Sequence, residues 1–324
     1  MRIVLCYPLQ QRHLDKIQSA APNAELVNAG QERIAEEILT ADIFCGHPKV
    51  PTPWDEVVQL NRLKWLQSSA AGTDHLQMPS MIESPIIITN ISGVLANQVS
   101  EQALALLLGL IRGLPTFFRA QQAKEYIRRP VRDLHGATIG IAGLGGVGRR
   151  VAELLAAFKT RILATDLYPI DKPSHVEELW AADRLDEMLP LVDILVLCVP
   201  LTQVTRGMID ARRLALMRRG SILINVARGP VVVEPDLVAA LESGRLWGAG
   251  VDVAAMEPLP VESRLWEMPN VIITPHVGGE SALRADQITD FFCENLRRYL
   301  AGKPLLNLID KRLGFPIRKA ANAK

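Results

Sequence analysis

The chain is 324 residues long and carries 36 basic and 35 acidic side chains, so its near-zero net charge excludes a strongly charged surface made for nucleic acid or a membrane. That length accommodates two domains, each with a core of its own. The four cysteines, Cys6, Cys45, Cys198 and Cys293, are widely dispersed and read as small core residues in a reducing, cytoplasmic setting, with no disulfide framework and no metal cluster.

The opening MRIVLCYP is a strand and not a signal peptide, because its apolar run is short and no small-residue cleavage site follows. Up to about residue 96 the elements alternate: helix HLDKIQSA, strand AELVNA, helix ERIAEEIL, strand DIFCG, the Pro-rich connector KVPTP, helix PWDEVVQL, and strands LKWLQSS and PIIITNIS. Such alternation implies a parallel sheet with helices on both faces. The loop SSAAGTDHL, residues 68–76, follows a strand end, where parallel sheets bind their ligands, and its small residues leave backbone amides accessible to an anion. By composition alone an ordinary strand-to-helix turn is the favoured reading, with His75 a packing or capping histidine.

Val99 to Leu114, VSEQALALLLGLIRGL, is apolar almost all round, the mark of a helix buried between domains or in a subunit contact, and it serves as the crossover to a second domain. Its most apolar part, Ala103 to Ile111, lies between Gln102 and Arg112 and is too short to span a bilayer. The charged stretch TFFRAQQAKEYIRRPVRDL comes next and carries no motif. From Gly136 the pattern is strand Thr138 to Ala142, a glycine turn, a helix with Val151, Leu154, Leu155 and Phe158 at helical spacing, and strand Arg161 to Thr165.

Gly143, Gly145 and Gly148 form GxGxxG in the strand-to-helix context that gives the motif meaning. The first allows the sharp turn, the second admits a pyrophosphate against the backbone, and the third lets helix and strand pack closely. Amides around Gly146 and Val147 would face the phosphates at the positive end of the helix. Asp166, about 20 residues further on, is placed to accept hydrogen bonds from an adenosine ribose, although aspartate at a strand end also serves local turns. Leu167, Tyr168 and Pro169 come after it without an arginine, and a carboxylate there repels a 2′-phosphate, so NAD (NADH) is favoured over NADP.

Strands DILVLCVP, SILINVA, GAGVDV and VIITP, separated by helical ARRLALM and PDLVAALESG, supply the second half of a doubly wound sheet. The final helix, Ser281 to Leu300, returns the chain to the first domain, and the basic end RKAANAK is expected to fray. Arg228 and His276 each lie just past a strand end, and Glu257 lies in the loop beyond Asp252, so topology brings all of them to the sheet edge that takes the dinucleotide. Their types suit reduction of a carbonyl beside a carboxylate: a histidine delivers the proton, a glutamate orients its ring, and an arginine forks onto the carboxylate and polarises the carbonyl. Asp252 could hold the nicotinamide carboxamide. Singly, each residue has a plainer reading: a turn arginine, an exposed loop glutamate, a capping histidine.

Taken together these motifs resemble the D-isomer-specific 2-hydroxyacid dehydrogenase family, through GIAGLGGVGRRVA, CVPLTQVTRGMI, INVARGPVV, LVAALESGRLWGAGVDVAAMEPLP and VIITPHVGG, and the likeness extends over nearly the whole chain. The resemblance implies an α/β fold of two domains, a Rossmann-type doubly wound parallel sheet binding NAD and a flavodoxin-like substrate domain, with a cleft between them. The expected division is 1–97 plus 282–324 for the substrate domain and 98–281 for the NAD domain. It implies Arg228, Glu257 and His276 as the catalytic set, and cofactor contacts at Gly146, Val147, Asp166, Pro200, Thr205, Ala227 and Asp252. It also turns Ala71 and Gly72, within SSAAGTDHL, into a loop whose amides hold the substrate carboxylate. The expected partners are a small 2-hydroxy or 2-keto acid and a second copy of the chain in a homodimer.

Departures are few: VSEQ replaces the more common VAEH, Val233 stands where an acid is usual, and EYIRRPVRDLHG lacks a tryptophan often found there. Two other functions stay open at this level. One is an NAD-sensing, corepressor-like binding protein of the same fold; the other is a dehydrogenase of formate or phosphite.

Overall fold

Five short strands, β1 (Arg2–Cys6), β2 (Glu25–Asn28), β3 (Ile43–Gly46), β4 (Trp65–Ser68) and β5 (Ile87–Thr89), pair in parallel in the order β2-β1-β3-β4-β5. Ile3, Val4, Leu5, Phe44 and Trp65 are fully buried, as expected where helices cover both faces of a parallel sheet and leave no solvated side. The computed structural model describes residues 1–316; the basic end RKAANAK lies outside the described residues. The described residues divide into two units, one made of Met1–Leu95 with 281–316, the other of Ala96–Glu280.

The helix Arg284–Leu300 completes the first unit. Its Phe292 and Tyr299 rings lie 5.4 and 5.2 Å from Trp65, and its Asp286 accepts from His13 Nε2 at 2.9 Å. His13 Nδ1 accepts from Gln10 N, so the ring donates to Asp286 through Nε2. The buried Gln67 is satisfied by Thr89 and Asn295, each of which donates to its Oε1.

The second unit holds β6 (Thr138–Ala142), β7 (Arg161–Asp166), β8 (Glu178–Ala181), β9 (Ile194–Leu197), β10 (Ser221–Asn225), β11 (Leu246–Val251) and β12 (Val271–Ile273). All pair in parallel, in the order β12-β11-β10-β9-β6-β7-β8. From β6 the chain runs outward through β7 and β8, then returns to β9 on the other side of β6. That reversal is the switch point at which open parallel sheets bind ligands beyond their carboxyl ends. Leu106, Leu107 and Leu110 pack with Ile139, Ile141, Val196 and Ile224 on one face; Leu195, Leu197 and Leu223 meet Leu237 and Leu241 on the other.

Three features differ from the expectation. The long apolar helix stops at Ile111, and a second helix, Leu114–Gln122, leaves it at 68°, because Gly113 takes φ +71° and Pro115 is tolerated only in the first turn of a helix. The edge strand β8 and the four-residue helix Leu185–Met188 are too short to carry a period. The GAGVDV strand ends at Val251, which leaves Asp252 beyond it. Among the described residues no single helix is long and apolar enough to cross a membrane.

Candidate active site

The turn after β6 is shaped by contact. A Cβ on Gly148 would lie 2.0 Å from the carbonyl oxygen of Gly143, so only glycine lets the helix Gly146–Ala156 start this close to the strand. A Cβ on Gly145, by contrast, would meet nothing within 4 Å. Open space therefore lies beside the backbone at the motif's second glycine. The helix has no side-chain cap, and the first amides of any helix lack intrahelical partners, so Gly146 and Val147 sit where a pyrophosphate is bound best. This cradle fits a dinucleotide. At the end of β7, Asp166 Oδ2 accepts from Leu144 N at 2.7 Å and Oδ1 from Tyr168 N at 2.9 Å, which fixes the carboxylate over the turn with lone pairs remaining for ribose hydroxyls.

After β9, the loop bearing Pro200 and Thr205 closes on itself. Thr205 Oγ1 donates to Pro200 O at 2.6 Å and accepts from Thr202 N at 2.8 Å. Cys198 lies at the start of this loop, with its thiol pushed up to about 12 by burial, so it is no nucleophile at neutral pH.

Arg228, Glu257 and His276 are assembled by backbone bonds that carry the sheet beyond its strands. Asp252 N donates to Asn225 O at 3.0 Å, Thr274 N to Val251 O at 3.0 Å, and His276 N to Asp252 O at 2.7 Å. The ends of β10, β11 and β12 are thereby held side by side. The buried Asn225 side chain folds the first loop back, accepting from Ala227 N and donating to Arg228 O, both at 3.1 Å. Gly229 then presses on the next loop: a Cβ there would lie 1.8 Å from Ala254 O. Arg228 is extended, and its Nη1 donates to Ala227 O at 2.8 Å.

Glu257 bridges the second and third loops. Its Oε1 accepts from Ala254 N at 3.1 Å, and its Oε2 from His276 Nδ1 at 2.8 Å. A carboxylate only accepts, so Nδ1 carries the proton in this bond and Nε2 is the nitrogen left for exchange with a substrate. Both side chains are about two-fifths exposed, at 43% and 41%, and so reachable. His276 itself has φ +55°, a left-handed conformation that histidine adopts at some cost. The cost is met by Asp252, 3% exposed, whose Oδ1 accepts from Thr274 Oγ1 at 2.6 Å and Val277 N at 3.1 Å and whose Oδ2 accepts from Gly278 N at 2.8 Å. Gln102 Nε2 donates to Thr274 Oγ1 from the neighbouring helix.

Ala71 and Gly72 belong to the first unit, in the loop after β4. Asn90 Nδ2 donates to Ala71 O and Ile91 N to Ala70 O, so this loop is pinned through its carbonyls. His75 packs edge-to-face on His47, which sits directly after β3, with ring centroids 4.2 Å apart. The packing role read for His75 is the observed one; its partner His47 carries no signal in the sequence. Asn225 and Gly229 carry none either, apart from the bare fact that a glycine comes directly after the strand-end arginine.

Known proteins resemble this chain over nearly its whole length. The family model described as D-isomer specific 2-hydroxyacid dehydrogenase, NAD binding domain, matches residues 104–278. A glycerate dehydrogenase of Methylorubrum extorquens is 34% identical over 84% of this chain and 87% of its own. A glyoxylate reductase of Pyrococcus furiosus is 34% identical over 89% of this chain and 88% of its own. Among solved structures, a D-isomer specific 2-hydroxyacid dehydrogenase of Xanthobacter autotrophicus Py2, in complex with NADPH and MES, superposes with a TM-score of 0.83 at 30% identity, covering 97% of this chain and 99% of that one.

Proposed function

The chain belongs to the D-isomer specific 2-hydroxyacid dehydrogenase family and is an NAD(P)-dependent oxidoreductase, and from that premise we propose that it uses NAD to interconvert small D-2-hydroxy acids and 2-keto acids with His276 as the acid/base. The observation that carries this reading is the His276–Glu257 pair, 2.8 Å from Nδ1 to Oε2, at the carboxyl edge of a sheet whose switch-point turn fits a dinucleotide. NADH, when bound, supplies a hydride to C2 of the keto acid. His276 Nε2 gives its proton to the carbonyl oxygen as negative charge grows there and recovers it in the reverse direction. Glu257, accepting from Nδ1–H, orients the ring so that the imidazolium form gives its proton from Nε2 and is left as the Nδ1–H tautomer. Arg228 binds the substrate carboxylate and polarises the carbonyl, stabilising charge that is larger in the transition state than in the ground state.

Gly143, Gly145, Gly146, Val147 and Gly148 cradle the pyrophosphate, Asp166 takes the ribose, Pro200, Thr205 and Ala227 border the cofactor, and Asp252 fixes the loop that the carboxamide meets. Ala71 and Gly72 form a carboxylate-binding loop in the substrate domain, residues 1–97 with 282–324. The protein acts in the cytoplasm as a homodimer, in which a partner subunit covers apolar surface such as Phe118 and the 99% exposed Tyr126.

NADH oxidation by the purified protein against glyoxylate, hydroxypyruvate, pyruvate and branched 2-keto acids tests the reading. Turnover on at least one acid is expected, reduced by about 10² to 10⁴ in His276→Ala with NADH affinity retained. Undiminished turnover in that variant removes His276 from the mechanism. Tight NADH binding without turnover on any keto acid removes the reaction.

A further inference from the structure

Arg149 is the fourth residue of the helix that the glycine turn opens, and its guanidinium reaches back to three backbone carbonyls: Nε to Leu144 O at 3.2 Å, Nη2 to Ile170 O at 2.9 Å and Nη1 to Asp171 O at 2.6 Å. Two of these belong to the segment just after Asp166, and the third to the turn that Asp166 grips. The Leu144 residue is therefore held at both ends, its N–H by the Asp166 carboxylate and its carbonyl by Arg149. The segment beyond β7 is held the same way, at Tyr168 N by Asp166 and at Ile170 and Asp171 by Arg149. Within it Leu167 is 54% exposed, and Asp171 sits at φ +53°.

We propose that Arg149 is a positioning residue for the adenosine end of the cofactor, bracing the Leu167–Asp171 segment and the glycine turn so that the Asp166 carboxylate meets a ribose in one orientation and discriminates against a 2′-phosphate. It rests on the reading of Asp166 as the ribose acceptor. The planar fork is what the geometry requires, because one side chain must reach carbonyls on two separate segments. A freely hydrated point charge would serve if the role were only attraction to phosphate.

The two roles separate in a titration of NADH and NADPH affinity by nucleotide fluorescence, with kcat at saturating cofactor, on the wild type, Arg149→Ala, Arg149→Lys and Asp166→Asn. Arg149→Ala is expected to weaken NADH about ten-fold and NADPH much less, so that selectivity falls, while kcat at saturation drops less than the affinity. Arg149→Lys is expected to behave like Arg149→Ala despite keeping the charge. Wild-type selectivity in Arg149→Lys, unchanged NADH affinity in Arg149→Ala, or equal losses for both nucleotides each overturn the bracing role. If Asp166→Asn alters selectivity and Arg149→Ala does not, only this inference fails. If Asp166→Asn itself leaves selectivity unaltered, the ribose reading falls and the inference with it.

Discussion

Two stretches of the same sheet edge are built by different means. The turn after β6 is local, made from one segment between Gly143 and Gly148 and tied to a single distant carboxylate at Asp166. The edge beyond β10, β11 and β12 is distributed: Asn225, Asp252 and His276 come from the ends of three separate strands and are joined by backbone bonds that extend the sheet and by the Asp252 carboxylate. A local device tolerates change elsewhere in the chain, whereas a distributed one depends on every link. Damage to the first should therefore cost cofactor affinity, and damage to the second should cost turnover.

Glycine substitutions offer the largest contrast. In Gly148→Ala the new methyl would sit 2.0 Å from Gly143 O, and in Gly229→Ala 1.8 Å from Ala254 O. Both obstacles are backbone, so no side-chain rotation relieves them, and each clash is expected to cost about 1–3 kcal/mol or more in local rearrangement. Gly148→Ala should weaken NADH by about a hundred-fold. Gly229→Ala should leave NADH affinity near the wild-type value and lower kcat by about 10², the penalty typical of an ångström-scale misplacement of catalytic groups. Steady-state kinetics with a fluorescence titration of NADH reads both. Equal loss of NADH affinity in the two variants would erase the distinction.

Asp252→Asn probes the hinge of the distributed region at a smaller scale. The carboxylate accepts from Thr274, Val277 and Gly278, and an amide must turn a donor toward one of them. Loss of a charge-assisted bond of this kind costs about 2 kcal/mol, which lowers Tm by about 4–8 °C for a unit of this size. A drop in kcat of about ten-fold should accompany it as His276 loses its left-handed support. Raised NADH dissociation with an unchanged Tm would instead place Asp252 on the cofactor side of the contrast.

The same contrast governs what could be read from the residues alone. Gly143, Gly145, Gly148 and Asp166 announce themselves because their spacing is set within one strand-turn-helix unit. The alternation of apolar runs with helical segments sufficed for two parallel, helix-covered sheets, but not for the short edge strand β8 or the helix Leu185–Met188. Arg228 and His276 were reachable only through topology, as residues just past strand ends. Nothing in the local sequence reveals that Asn225 folds the arginine loop back, that Gly229 abuts Ala254, or that His276 is left-handed, since each is a contact between segments distant in the chain. The break at Gly113 was legible in principle, because Pro115 two residues on cannot continue a helix.

The smallest effect concerns the thiols, and it tests whether the local turn is rigid without help. Burial pushes Cys6 and Cys293 up to about 11, Cys198 to about 12 and Cys45 well above its ordinary value. At pH 8 the thiolate fraction of a group near 12 is on the order of 10⁻⁴, so iodoacetamide should label the folded protein far more slowly than the urea-unfolded chain, as read by intact-mass spectrometry. Because the unfolded chain loses these protons first, near pH 8.5, the thiols favour the folded state below that pH, and their contribution declines as pH rises toward 11–12. Cys198 is the informative site, since it opens the loop beside the glycine turn. Slow labelling there with and without NADH means that the turn is already closed around it by packing alone. Fast labelling that NADH suppresses would mean that even this local device is completed only by the cofactor, and the two regions would then differ less in rigidity than in what holds them.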